Sequence, residues 1–230
     1  MKFLQYLNYF FYIAINWNIR LAFFTVYHEI KGERKYGIQT SKLNDLKKLS
    51  LTGNNIRHSE NYQGTNYFLL EKIFSWLQKI PINKNIIDYG CGKGRVLVVA
   101  AFYGFNKITG IDFAKELCEE AQKNITPLQQ YFPEKSFAII HVNAFDHQIE
   151  DDTNVFFFFN PFDEVVMLAV VKNILLSLKR NPREIYVIYV NPVHEEIFLS
   201  AGFEQVYYYQ KLQYIRASIL KKSPDDYGAF

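Results

Sequence analysis

The run Asp88-Tyr89-Gly90-Cys91-Gly92-Lys93-Gly94-Arg95 constrains the fold more than any other stretch of the chain. It follows the short apolar segment Asn85-Ile86-Ile87 and precedes the helix-like segment Lys93 to Tyr103, which Gly104 closes as a C-terminal cap. Glycine permits a tight turn and close backbone approach to a ligand. The first turn of the following helix offers unpaired amide groups to a carboxylate or phosphate. A strand, a glycine-rich loop and a helix in this order make a ligand-binding unit at the edge of an open α/β sheet.

The rest of the chain continues that alternation. A helix is expected from Tyr67 to Ile80, with Pro81 ending it. Strands are expected at Asn85 to Gly90, Lys107 to Phe113, Phe137 to Asn143, Asn154 to Asn160 and Glu184 to Val190. Helices fall between them at Ala114 to Ile125, Val165 to Leu178 (capped by Asp163) and Pro192 to Ala201. The segments Phe203 to Gln210 and Tyr214 to Lys221 read as an antiparallel pair. The fold class is therefore α/β: a doubly wound, mostly parallel sheet with an antiparallel C-terminal hairpin. The almost unbroken Phe run before Asn160 belongs at the centre of that sheet.

Residues 1–57 form a separate N-terminal segment and residues 58–230 the ligand-binding domain. Polar positions at Gln5, Asn8, Asn16 and Arg20 recur at helical spacing within an aromatic-rich stretch. That stretch has no signal-peptide pattern, and Asn16, Asn18 and Arg20 interrupt it as a membrane span. Two readings stay open: a helix packed on the main domain or on a second subunit, and an interfacial membrane helix. A charged run follows, Lys31 to Lys35, and then a polar connector through about Glu60.

Composition excludes some classes. Hydrophobic residues make up 49% and charged residues 21%, so a disordered chain is a poor reading. A net charge of +3 gives no footprint for nucleic acid. The two cysteines, Cys91 and Cys118, stand far apart, which favours a reducing cytoplasm over a disulfide framework. No His, Cys or acidic cluster has metal-ligand spacing.

A dinucleotide fingerprint would need glycine at positions 90, 92 and 95, but position 95 is arginine and the third glycine is Gly94. The acid-x-Gly-x-Gly-x-Gly pattern of Asp88 to Gly94 resembles motif I of the Rossmann-fold S-adenosylmethionine-dependent methyltransferases. A wider resemblance joins Glu33-Arg-Lys-Tyr-Gly-Ile-Gln-Thr40, Asn61-Tyr62-Gln-Gly-Thr65, Lys93-Gly94-Arg95 and Phe159-Asn160-Pro161-Phe162 to a group of small bacterial methyltransferases of unassigned substrate.

The resemblance implies S-adenosylmethionine as cofactor and assigns its contacts. Loop positions Tyr89, Gly90, Cys91, Gly92 and Gly94 meet the methionine carboxylate, and Asp88 its ammonium. Asp112, about 20 residues past the loop, takes the ribose hydroxyls, beside Phe113. Asn143 and Ala144 meet the adenine, and Phe145 next to them is a core candidate. Tyr62 and Thr65 lie near the methionine end. Asn160, Pro161 and Phe162 end the fourth strand and resemble a shortened Asn-Pro-Pro-aromatic motif that holds a target nitrogen; they are the candidate reaction site, with Asn160 also beside the methyl donor. His194 is read as a helix-start residue or a base. The acceptor is a protein lysine or a small molecule, and the missing second proline and weak charge disfavour nucleic acid. A non-catalytic cofactor-binding module and a nicotinamide-dependent oxidoreductase remain as alternatives.

Overall fold

The computed structural model describes residues 2–40, 64–159 and 162–224. Strands β1 (Asn85–Tyr89), β2 (Lys107–Asp112), β3 (Ser136–His141), β4 (Val155–Phe159) and β5 (Ile185–Val190) pair in parallel, and β6 (Glu204–Lys211) with β7 (Ile215–Lys222) form the antiparallel end. Their order across the sheet is β3-β2-β1-β4-β5-β7-β6. The chain moves outward from β1 through β2 to β3, then returns to the other side of β1 as β4. A crevice for ligands opens at this reversal, beyond the carboxyl ends of β1 and β4.

Side chains on β4 explain why both faces of the sheet are covered. Val155 and Phe157 point into one core and Phe156 and Phe158 into the other, as a period of two requires. The first core is closed by α3 (Tyr67–Leu77), α4 (Arg95–Ala101) and α5 (Lys115–Tyr131), and the second by α6 (Glu164–Arg180) and α7 (Glu195–Ser200). Burying each such phenylalanine contributes about 1.5–3 kcal/mol.

The two N-terminal helices, α1 (Lys2–Asn16) and α2 (Ile19–Tyr36), join the first core through Tyr9, Ile13, Leu21, Ala22 and Tyr36. Asn18 caps α2 by accepting a hydrogen bond from the Leu21 amide at 2.8 Å, and Gly37 ends it at φ 71°. The charged run Lys31 to Lys35 thus belongs to α2. Gly32, Glu33 and Tyr36 lie on the buried face of α2 and hold its last turns in place. The packing on the main domain expected as one reading of this segment is observed.

Two further differences have physical reasons. Helix α5 continues past Pro127 to Tyr131, because Ile125 and Leu128 stay on its buried stripe. Helix α4 starts at Arg95 rather than Lys93, because Gly94 sits in the left-handed region at φ 78°.

Candidate active site

The glycine loop closes over the ends of β1 and β2 through its own backbone. The amides of Gly90 and Cys91 both donate to the Ile111 carbonyl, at 2.8 and 2.9 Å. Gly90 and Gly92 adopt φ values of 80° and 53°, in the left-handed region. A Cβ on Gly94 would come within 3.2 Å of the Ala121 side chain, so α5 also packs closely against the loop.

Asp112 ties this loop to the second strand. One carboxylate oxygen accepts from the Gly92 amide and the other from the Ala114 amide, both at 2.9 Å. Burial lifts its pKa to about 6, opposed by the backbone donors around it. Asp88 is also buried, and burial together with the charge of Asp112 raises its carboxyl well above the usual range. Two buried carboxylates near each other call for a ligand that brings positive charge to one and hydroxyl donors to the other. The acceptors fit an amino acid ammonium at Asp88 and ribose hydroxyls at Asp112, whereas the amides of Gly90, Cys91, Gly92 and Gly94, expected to meet a carboxylate, are spent on Ile111, Asp112 and Cys91.

At the end of β3, Asn143 precedes a 3-10 turn of Ala144–Asp146, with Ala144 buried and Asn143 half-buried. Phe145 in this turn is 43% exposed and so is not core. Tyr89 stacks on Phe158 at 5.2 Å and its hydroxyl pairs with His147, so only its backbone faces the loop. The Cys91 side chain is buried under the loop, where a Cβ on Gly110 would meet its Sγ at 2.8 Å. Phe113 is half-buried, and its carbonyl accepts from His141 Nε2 at 2.9 Å. The carboxyl ends of β1, β2 and β3 thus carry Asp88, Gly90, Gly92, Asp112, Asn143 and Ala144 side by side along one edge of the sheet. Phe162 is half-buried against the second core. Tyr62, Asn160 and Pro161 lie outside the described residues. His194 starts α7, its amide donating to the Tyr189 hydroxyl.

Arg95 connects this edge to the N-terminal helices. Its Nη1 and Nη2 donate to the two Glu29 oxygens at 2.8 and 2.6 Å, with both side chains buried. Nη1 also reaches the Thr65 carbonyl at 2.7 Å, and Nε reaches Thr40 Oγ1 at 2.7 Å. The guanidinium lies 4.2 Å from the Tyr67 ring centroid. Gly64 lies so close that a Cβ there would sit 2.6 Å from the Arg95 Cζ. Thr65 is thereby fixed between α2 and the start of α4, next to the glycine loop.

Beyond the carboxyl ends of β4 and β5 lies a cavity of about 530 Å³. Tyr9 and Ile13 of α1, Trp17 just after it, Glu29 of α2, Asn66 before α3, Phe159, Asn191 and Arg216 are among its walls. This cavity was not evident from sequence, because its walls come from segments up to 200 residues apart. The one local signal was Asn191, the polar end of β5, which takes φ 49°. The site therefore has two halves: a polar backbone cradle over β1 to β3, and a half-open space of mixed polar and apolar lining over β4, β5 and the β6–β7 turn.

A family model for a methyltransferase domain matches residues 82–218. EEF1A lysine methyltransferase 2 of Danio rerio is 32% identical over 104 residues, 41% of this chain and 43% of that protein. Ribosomal protein L11 methyltransferase of Janthinobacterium sp. (strain Marseille) is 30% identical over 76 residues, 31% of this chain and 24% of that protein. The match therefore spans less than half the length of either relative. The crystal structure of a SAM dependent methyltransferase from Aquifex aeolicus superposes with a TM-score of 0.50 at 14% identity, covering 66% of this chain and 88% of that one. This last likeness is one of fold.

Proposed function

The chain belongs to the methyltransferase domain family, and from that premise we propose that it transfers the methyl group of S-adenosylmethionine to an acceptor seated beyond β4 and β5. The observation that carries this reading is the Asp112 carboxylate, held by the Gly92 and Ala114 amides beside the buried Asp88. That arrangement suits a ligand with an ammonium and a ribose. An oxidoreductase reading lacks support at position 95, where Arg95 is committed to Glu29 instead of giving way to a dinucleotide phosphate.

When bound, the sulfonium supplies an electrophilic methyl and a good leaving group. The chain's part is alignment more than acid–base work. Asp88 fixes the methionine end, and Asp112 fixes the ribose. Asn143 and Ala144 border the adenine. Asn160, Pro161 and Phe162 hold the acceptor at the methyl group. Thr65, with Tyr62 before it, closes the cofactor from the α2 side. An enzyme differs from a non-catalytic binding module in one test. Asn160→Ala lowers methyl transfer by about 10–100-fold while leaving cofactor affinity nearly unchanged. Equal turnover by the variant would contradict the role given to Asn160.

The relatives' names favour a protein acceptor, and that of EEF1A lysine methyltransferase 2 a lysine. The cavity of about 530 Å³ favours a small molecule. Neither arrangement needs nucleic acid.

No helix among the described residues is long and apolar enough to cross a membrane. The outer face of α1 and the start of α2 nevertheless exposes Phe3, Leu4, Phe11, Ile15, Ile19 and Phe23, beside Arg20. We assign this face to peripheral contact with an anionic membrane surface, where aromatic and aliphatic side chains enter the headgroup boundary and cations meet the lipid charge.

A further inference from the structure

Hydrogen-bonding capacity around the cavity is unevenly spent. Both Glu29 oxygens accept from Arg95, and Asn191 Oδ1 accepts from Arg216 Nε at 3.2 Å. Asn66 Oδ1 accepts from the Phe68 amide at 3.0 Å, and Gln210 Oε1 from the Tyr208 hydroxyl at 3.1 Å. Donors are left over. Asn66 Nδ2 is buried and makes no hydrogen bond among the described residues. The amide cannot be turned round to relieve it, because the Phe68 N–H requires the oxygen where it stands. Arg216 makes one side-chain hydrogen bond among the described residues, through Nε, so its two terminal nitrogens remain available.

Charge follows the same pattern. The Glu29 charge is matched by Arg95, so Arg216 is the cation on the cavity wall that no described carboxylate offsets. Asn191 holds the guanidinium by a contact made from φ 49°, a conformation that costs free energy in a residue other than glycine. Strain of this kind persists where the surroundings fix a residue for a purpose. On the α1 side the wall is aromatic or aliphatic, with Tyr9, Ile13, Trp17, Leu21 and Leu69.

We propose that the cavity binds an amphiphilic acid as the methyl acceptor, its carboxylate taken by Arg216 and Asn66 and its apolar body by the α1 side of the wall; one oxygen of the ionised carboxylate forms the new O–CH3 bond as the methyl–sulfur bond breaks with its electron pair left on sulfur, giving a methyl ester and S-adenosylhomocysteine with no proton to move. This rests on the methyltransferase reading and names the substrate class for its acceptor half. A bidentate guanidinium suits a carboxylate, and the Asn66 donor gains the partner it lacks. An ammonium group, as in a lysine side chain, calls for an anionic partner, and Glu29, the one described carboxylate on the wall, is already paired with Arg95.

The probes are decanoate, decanol and decylamine, which share one chain and differ in the head group. Trp17 lies on the cavity wall, and Trp76→Phe leaves it as the chain's single tryptophan. Emission from Trp17 is titrated with each probe at saturating S-adenosylhomocysteine. Decanoate is expected to bind at least about tenfold more tightly than either control, a difference typical of one charge-assisted contact. Arg216→Gln brings decanoate to the level of decanol. Asn66→Asp keeps the oxygen that caps α3 but replaces the free donor with an acceptor, and weakens decanoate at least about tenfold. Both variants retain wild-type affinity for S-adenosylhomocysteine, which also shows that they are folded. Tightest binding of decylamine, unchanged decanoate binding in both variants, or binding of none of the three by a protein that binds S-adenosylhomocysteine would overturn the ligand class alone. Failure of the unmodified chain to bind S-adenosylhomocysteine would overturn the cofactor reading on which it rests.

Discussion

Arg95 and Glu29 meet through two parallel hydrogen bonds of 2.8 and 2.6 Å, with both side chains out of solvent. The pair fastens α2 to the first residue of the helix that follows the glycine loop. Glu29 also lines the cavity, so one contact touches both halves of the site. Burial raises the Glu29 carboxyl, and the arginine opposes that rise. Removing one partner leaves the other charged, buried and unmatched. Glu29→Ala or Arg95→Ala is expected to destabilise the fold by about 3–5 kcal/mol. In a chain of this size that lowers Tm by roughly 6–20 °C. The double replacement Glu29→Met, Arg95→Met recovers much of the loss, because no charge is stranded. Thermal unfolding of the three proteins checks this, and single variants within about 2 °C of the parent would show that the pair carries no such weight.

Gly32 stands in the interior of α2, where alanine would ordinarily stabilise by about 0.5–1 kcal/mol. A Cβ there would lie 2.2–2.6 Å from the Tyr67 ring, and that ring is held by Thr40, Arg95 and Tyr36. Overpacking of about 1–3 kcal/mol outweighs the helix gain. Gly32→Ala is therefore expected to be less stable in denaturant unfolding. Gly32→Ala in a Tyr67→Leu background, which leaves more room, is expected to lose less than Gly32→Ala alone.

How much of this was legible beforehand differs by kind of interaction. The glycine loop, the Phe-rich β4 and the antiparallel hairpin are local patterns, and each lies within about two residues of its expected place. Asp112 and Asn143 were reachable because they end strands whose order fixes the ligand edge. The Arg95–Glu29 pair was not, since its partners are 66 positions apart and charged residues ordinarily face water. The burial of Gly32, Glu33 and Tyr36 was hidden for the same reason, because they lie within the charged run of α2. The donor surplus around Asn66 and Arg216 becomes visible only when every neighbouring oxygen can be accounted for.

Asp112 makes cofactor affinity depend on pH. Its pKa is pushed up to about 6 by burial, and the ribose hydroxyls require the ionised form as acceptor. At pH 5 roughly a tenth of the protein is ionised at this position, so S-adenosylhomocysteine should bind about tenfold more weakly than at pH 7.5. Stability moves the other way. Between about pH 4 and pH 6 the folded chain keeps a proton that the unfolded chain has released, so this residue's contribution is present below that window and lost as pH rises through it. Asp112→Asn should flatten both dependences. An affinity that is constant from pH 5 to pH 7.5 would contradict this account.

The exposed face of α1 offers a second, independent check. Ile15 is 81% exposed and Phe11 53%, so serine at either position leaves the core untouched. Sedimentation with phosphatidylserine-containing vesicles should retain the parent protein, with less retained by Phe11→Ser, Ile15→Ser and less by pure phosphatidylcholine. Equal retention by parent and variant would remove this face from membrane contact.

The central claim is that the Asp88, glycine-loop and Asp112 constellation holds S-adenosylmethionine. Calorimetric titration with S-adenosylhomocysteine, with NAD as control, tests it most directly. The account predicts saturable binding of the homocysteine product with a dissociation constant on the order of 1–100 μM, roughly −5 to −8 kcal/mol. Asp112→Ala should abolish that binding, and NAD should give none. Binding of NAD without the homocysteine product would contradict the account.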